Sequence, residues 1–137
     1  MKTASRSFLF FLPCGMHDFR RLDVWKRARI FGGDIYRFTA AVRRGEDKTA
    51  STQLRKCSLG IAAAICEGCG KRTRAETLRY LDIAHGSATE AEGHLLQIIE
   101  IDLLPARQCY KYIDEAVQIQ RMLQSLMRNL PPDPIDP

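Results

Sequence analysis

From Asp18 onward the apolar residues of this chain return every three and then every four positions, and that rhythm limits the fold to helices packed on helices. In the first such segment Ala28, Phe31, Ile35, Phe38 and Val42 step 3, 4, 3, 4. One narrow seam therefore faces the core of a helix running from Asp23, read as its N-cap, to about Val42. Trp25, one turn before Ala28, is placed to anchor that end. The Gly32-Gly33 pair would weaken the helix by up to about 1 kcal/mol per residue relative to Ala, so it is expected to mark a tight crossing with a neighbour. Arg43-Arg44-Gly45-Glu46-Asp47 is the turn that ends the helix.

A second helix is expected from about Lys48 to Cys66, with Leu54, Cys57 or Ser58, Ile61, Ile65 and Gly68 on one face. Gly60, Ala62, Ala63 and Ala64 make it slim enough to pack closely on both sides. Gly68-Cys69-Gly70 should stop it, since glycine enters the left-handed region without a Cβ penalty. Thr73-Arg74-Ala75-Glu76 is a capping box, in which the Thr73 hydroxyl accepts the amide three residues on and Glu76 reaches back. It opens a third helix from Arg74 to about Leu103, whose Leu81, Ala84, Ala88, Ala91, Leu95 and Ile98 form the most regular heptad in the chain. Pro105 suits the first turn of a fourth helix, where a missing N–H costs nothing. That helix carries Cys109, Ile113, Ala116, Gln120, Leu123, Met127 and Leu130 on its seam. No segment has the period of a strand. Four helices with short connections predict an all-α, antiparallel up-down-up-down four-helix bundle over residues 16–130.

The two ends do not share this pattern. Residues 1–15 place Lys2 and Arg6 before the apolar run Phe8-Leu9-Phe10-Phe11-Leu12, a faint signal-peptide look, but the run is short and no small-x-small cleavage site follows. The expectation is that Met16 is the ordinary start and that residues 1–15 are a disordered or mis-assigned extension. The Pro-rich tail, residues 131–137, cannot continue a helix and is expected to be extended or disordered.

At 137 residues the chain has the length of one domain, enough to bury roughly two-thirds of its unfolded surface. No apolar run approaches the length of a membrane span. Five cysteines at irregular spacing read as reduced thiols in a cytoplasmic protein. The net charge of +5 hides an asymmetry: residues 1–79 hold 17 Lys/Arg against 7 Asp/Glu, or +10, and residues 80–137 hold 4 against 9, or −5. Such a split suits a basic surface for a polyanion, or complementary faces that attract one another between subunits.

Catalytic and metal signatures are weak. Cys66-Glu67-Gly68-Cys69 is a C-x-x-C without the second ligand pair that a structural zinc site needs and without a βαβ context for redox work. Cys66 is read as a small core residue and Cys69 as a loop residue. No Glu-x-x-His occurs, which argues against a di-iron bundle, and His85 and His94 lie too far apart on one helix to ligate together. Glu90 and Glu92 flank the alanine seam and, if buried, would need Arg55 or Lys56 as partner. No phosphate-cradling loop, dinucleotide fingerprint or nucleophile elbow is present, so no enzyme, cofactor, metal or small-molecule substrate is assigned.

The strongest binding candidate is the basic elbow. Gly70-Lys71-Arg72-Thr73-Arg74 sets three cations at a helix start, where free amides already favour anions. Arg79 follows one turn on, Tyr80 adds a surface for stacking, and Arg55 and Lys56 supply further charge from the preceding helix. Such groups contact the nucleic-acid backbone, so affinity would depend on salt and not on sequence. Glu67, Gly68, Gly70, Thr73 and Glu76 are the structural residues of this elbow.

Taken together, several stretches resemble a known family. Asp18-Phe19-Arg20-Arg21-Leu22-Asp23-Val24-Trp25-Lys26-Arg27-Ala28 is similar to the "DF-x-x-L-x-VW-x-x-A" opening of the four-helix-bundle proteins encoded in intervening sequences of 23S ribosomal RNA genes. Gln53-Leu54-Arg55-Lys56 with Ser58 resembles their second helix, and Glu67-Gly68-Cys69-Gly70-Lys71 their "EG-x-G-[RK]" elbow. Tyr80-Leu81-Asp82-Ile83-Ala84-His85-Gly86-Ser87, with Glu90, Glu92 and Leu95, resembles their third helix. One departure is Ala64, where the family's "N-I-A-E-G" has a polar residue. The resemblance implies a bacterial bundle that assembles into a homo-oligomeric ring, a pentamer, related to retroelement accessory proteins that bind nucleic acid. The reading is therefore a non-enzymatic homo-oligomer that binds RNA or DNA backbone. The alternative is a structural or scaffolding module whose basic and acidic faces hold a ring or a protein partner.

Overall fold

The computed structural model describes residues 18–42, 45 and 47–133. The expectations for residues 1–15, for Arg43, Arg44 and Glu46, and for the last four residues of the tail lie outside the described residues. A short 3₁₀ turn, Phe19–Arg21, leads into four α-helices: α1 Asp23–Thr39, α2 Thr49–Cys69, α3 Arg74–Glu100 and α4 Ala106–Arg128. Each packs on the next, and α4 closes on α1, making a four-helix bundle with no strand among the described residues. The pairs that meet run in opposite chain directions. Gly68 abuts Thr77 and Tyr80 while Gly60 faces Ser87, and Gln120 reaches Ala88 and Glu92 whereas Arg74 reaches Leu130.

The 3–4 rhythm describes the core well. All six seam residues of α3 (Leu81, Ala84, Ala88, Ala91, Leu95, Ile98) are fully buried, as are Ala28 and Ile35 of α1 and Leu54, Ile61 and Ile65 of α2. Each buried Leu or Ile contributes about 1.5–3 kcal/mol relative to exposure. In α4 the seam turns slightly. Ile119 is fully buried, whereas Ile113, Gln120 and Met127 are only half-buried. A straight helix drifts from a strict seven-residue repeat, so the inward position moves from 120 to its neighbour.

Several helix ends differ from expectation, each for a local reason. Asp23 is the first helical residue, not the cap; Leu22 holds that place with no side-chain bond. Asp18 instead caps the 3₁₀ turn, its Oδ1 accepting the Arg20 amide at 3.2 Å. The α1 helix stops at Thr39 because residues 40–42 tighten into three-residue turns. Helix α3 ends at Glu100, earlier than Leu103, through a Schellman motif. The Leu103 amide donates to Ile98 O and the Asp102 amide to Ile99 O, both at 3.1 Å, with Asp102 at φ 58° in the place glycine usually takes. Pro105 is the N-cap of α4, one residue before the helix.

The glycine pair also divides. A Cβ on Gly32 would sit 3.3 Å from the Leu59 side chain and 3.4 Å from Ser58 O, so Gly32 marks the α1–α2 crossing. Gly33 does not; its Cβ would meet only the flexible guanidinium of Arg37.

Candidate nucleic-acid interface

The turn between α2 and α3 is built by hydrogen bonds and small residues. Helix α2 continues three residues beyond the expected Cys66, through Gly68 to Cys69, because α3 lies directly against it there. A Cβ on Gly68 would stand 3.1 Å from the Tyr80 Cβ and 3.4 Å from Thr77 O, so this glycine is required by packing. The Thr77 hydroxyl donates to Gly68 O at 3.1 Å, which also accepts the Lys71 amide at 3.2 Å, so this carbonyl at the helix end is tied to both the turn and α3. Gly70 has φ −85°, so the helix does not stop through a left-handed glycine; the Gly70 amide closes a tight last turn on Glu67 O and Cys66 O. The capping box is half formed. Thr73 Oγ1 accepts the Glu76 amide at 3.2 Å, but the return bond from Glu76 is absent among the described residues.

The two cysteines exchange their expected roles. Cys69 is buried at the end of α2, and Cys66 is half-buried. Burial pushes the Cys69 thiol up to about 12, with Cys66 and the Asp18 carboxylate adding to it. Among the described residues no group of His, Cys, Asp and Glu could hold a metal ion.

The cations separate into two places. Lys71 Nζ lies 4.9 Å and the Arg79 guanidinium 5.3 Å from the Tyr80 ring centroid, so one aromatic carries two positive charges at the elbow. Arg72 is exposed beside them and Arg74 is half-buried. The antiparallel packing brings others that sequence reasoning missed. The 3₁₀ turn with Arg20 and Arg21, which pair with Asp18 at 3.3 and 3.7 Å, packs on α2 near the elbow. Arg128 ends α4 just before Leu130, whose carbonyl meets Arg74. The signal for these residues was available, since an alternating bundle sets the starts of its first and third helices beside the ends of its second and fourth.

Arg55 and Lys56 are not part of this cluster. Fourteen residues of helix separate Arg55 from Cys69, or about 21 Å at 1.5 Å per residue. Arg55 lies over the Tyr36 ring at 4.1 Å and donates to Thr39 Oγ1 and Tyr36 O, which ties α2 to the end of α1. Lys56 lines an open groove of about 430 Å³ between α2 and α3 with Glu67, Tyr80, Ser87 and Glu90 over a floor that includes Gly60 and Ala64. The position where the family pattern has a polar residue is thus a methyl group on that floor. His85 is not among the groove's residues, and its Nε2 is buried with no hydrogen-bond partner. Neither glutamate of the α3 seam pairs with Arg55 or Lys56. Glu92 accepts from Gln120 Nε2 at 2.8 Å, and Glu90 lies 3.3 Å from His94 Nε2.

An unexpected anion sits at the elbow. Asp133 Oδ1 accepts the Arg74 amide at 2.6 Å, and Arg74 Nε donates to Leu130 O at 3.4 Å. The start of the tail therefore lies across the first turn of α3.

With this geometry in view, the comparisons agree on one fold. The model of the 23S rRNA-intervening sequence protein family matches residues 20–125. A crystal structure of a protein of unknown function from the S23 ribosomal protein family of Bacteroides thetaiotaomicron superposes with a TM-score of 0.73 at 22% identity, covering 77% of this chain and 99% of that one. No curated protein matches the chain significantly. Among the described residues no helix is long and apolar enough to cross a membrane.

Proposed function

The chain belongs to the family of 23S rRNA-intervening sequence proteins, and on that premise we propose that it is a non-enzymatic, cytoplasmic bundle protein that binds the phosphodiester backbone of RNA or DNA as a homo-oligomer. The observation that carries this reading is the convergence of Arg20, Arg21, Lys71, Arg72, Arg79 and Arg128 at one end of the bundle, with Lys71 and Arg79 held over Tyr80. Cations brought together from three separate parts of the chain form a patch that a phosphate backbone can follow. Arg55 is engaged with α1 and contributes to stability, while Lys56 lies along the groove.

Filter binding with single-stranded RNA across a salt series tests this. Four phosphate contacts would lower affinity about fifty-fold between 50 and 200 mM salt. Lys71→Glu with Arg79→Glu should flatten the slope by about 1.4 units in a log–log plot. Absence of binding at low salt sinks the proposal.

The second reading is a structural ring, a pentamer in the form the family resemblance implies. It is favoured by the exposed apolar side chains Leu59, Ile83 and Leu96 on α2 and α3, which a neighbouring subunit would cover. Light-scattering mass tests the assembly: a monomer at working concentration rules out the ring and, with it, the homo-oligomeric part of the first reading.

A further inference from the structure

We propose that Leu130–Asp133 is a strap that competes with nucleic-acid phosphate for the elbow, its carboxylate standing where a backbone phosphate would bind. The inference rests on the elbow reading above and adds its regulation. Both Arg74 groups that would meet a phosphate are engaged by this segment: the backbone amide donates to Asp133 Oδ1 at 2.6 Å and the guanidinium Nε to Leu130 O at 3.4 Å. An anion at a helix start is the favourable partner for its unpaired amides and dipole, and a carboxylate serves there as a phosphate would.

The segment is built to hold that position. Leu130 is buried in the core and fixes the near end. Pro131 and Pro132 follow, with φ restricted and no N–H to satisfy, so little freedom remains between anchor and carboxylate. A tethered carboxylate acts at high effective concentration, so a single free phosphate competes poorly with it. A polyanion differs because it also reaches Lys71 and Arg79, which face Tyr80, whereas the strap's hydrogen bonds among the described residues go to Arg74. The strap therefore selects polymeric phosphate over monomeric phosphate.

The test compares the full chain with Asp133→Ala by anisotropy of a fluorescein-labelled oligouridine, alongside hydrogen exchange at the Arg74 amide. The expected result is roughly fivefold tighter binding by the variant and faster exchange at Arg74, with the rest of α3 unchanged. Binding equal to or weaker than wild type overturns the strap while leaving the elbow reading intact. If neither protein binds, the elbow reading falls and the competition falls with it, and unchanged Arg74 exchange would show that the latch itself is not held in solution. Binding by the variant alone would be the strongest support.

Discussion

The α2–α3 seam and the α1–α4 seam close the same bundle by different means. Along α2–α3 the contact is made by small residues, with Gly68 against Tyr80, Gly60 facing Ser87, and the Thr77 hydroxyl bonded to Gly68 O. Along α1–α4 the helices stand further apart, and long side chains span the gap. Arg27 holds Glu115 through two 2.8 Å bonds, and Phe38 and Tyr112 lie 5.0 Å apart. Close approach buries backbone and tolerates no added atom; a bridged gap tolerates change but gains little from each bridge. The basic elbow stands at the end of the tight seam, which gives Lys71, Arg79 and Tyr80 a rigid base.

The largest expected effect that could break this contrast is in thiol reactivity. With its thiol pushed up to about 12, Cys69 should react with iodoacetamide at pH 8 about a thousandfold more slowly than an exposed thiol. Half-buried Cys66 should be labelled first, and equal rates would mean that the seam opens at the elbow. The same burial predicts a pH dependence. Cys57 is raised to about 11 and Cys69 to about 12 from 9.0, so the unfolded chain releases these protons first. Their contribution is complete below pH 9 and is lost as pH rises toward 12, which thermal unfolding across that range would show.

Gly68→Val comes next, at about 2–3 kcal/mol of destabilisation from overpacking against Tyr80 and Thr77. A loss below 0.5 kcal/mol in urea unfolding would show that the seam can spread. Thr77→Val removes the hydroxyl from Gly68 O and should cost about 1 kcal/mol. Across the looser seam, a double-mutant cycle of Arg27→Ala and Glu115→Ala should give a coupling of at most about 1 kcal/mol, because side-chain exposures of 42% and 32% leave the pair open to screening. The smallest effect has the opposite sign. Gly93 lies inside α3 with no atom within 4 Å of where a Cβ would stand, so Gly93→Ala should stabilise by about 0.5–1 kcal/mol. The contrast with Gly68 in one protein would confirm that packing, not propensity, sets the sign.

Much of this was legible beforehand in the residues that repeat locally. The α3 seam from Leu81 to Ile98 follows directly from its spacing, and so does the start of that helix at Thr73-Arg74. Gly32 was legible as a crossing point, but Gly33 was not separable from it, since adjacent residues on a helix face different directions. The end of α2 was misplaced because Gly68 and Gly70 looked like a conformational stop. Gly68 is in fact helical and is required by a neighbour that the local sequence does not contain. Of the candidate cations, Lys71, Arg72, Arg74 and Arg79 do meet at one end of the bundle, whereas Arg55 belongs to a tie between α1 and α2.

The sequence by itself determined that the chain is helical, where its helices pack, and which family it belongs to. Those properties rest on residue spacing and on motifs a few residues long, which any stretch of helix expresses on its own. Tertiary structure alone decided which charges share a surface and what covers them. The bond from Arg74 to Asp133 spans 59 positions of sequence, and no periodicity connects its two ends. It exists because four helices of alternating direction return the chain to the end of the bundle where the elbow lies.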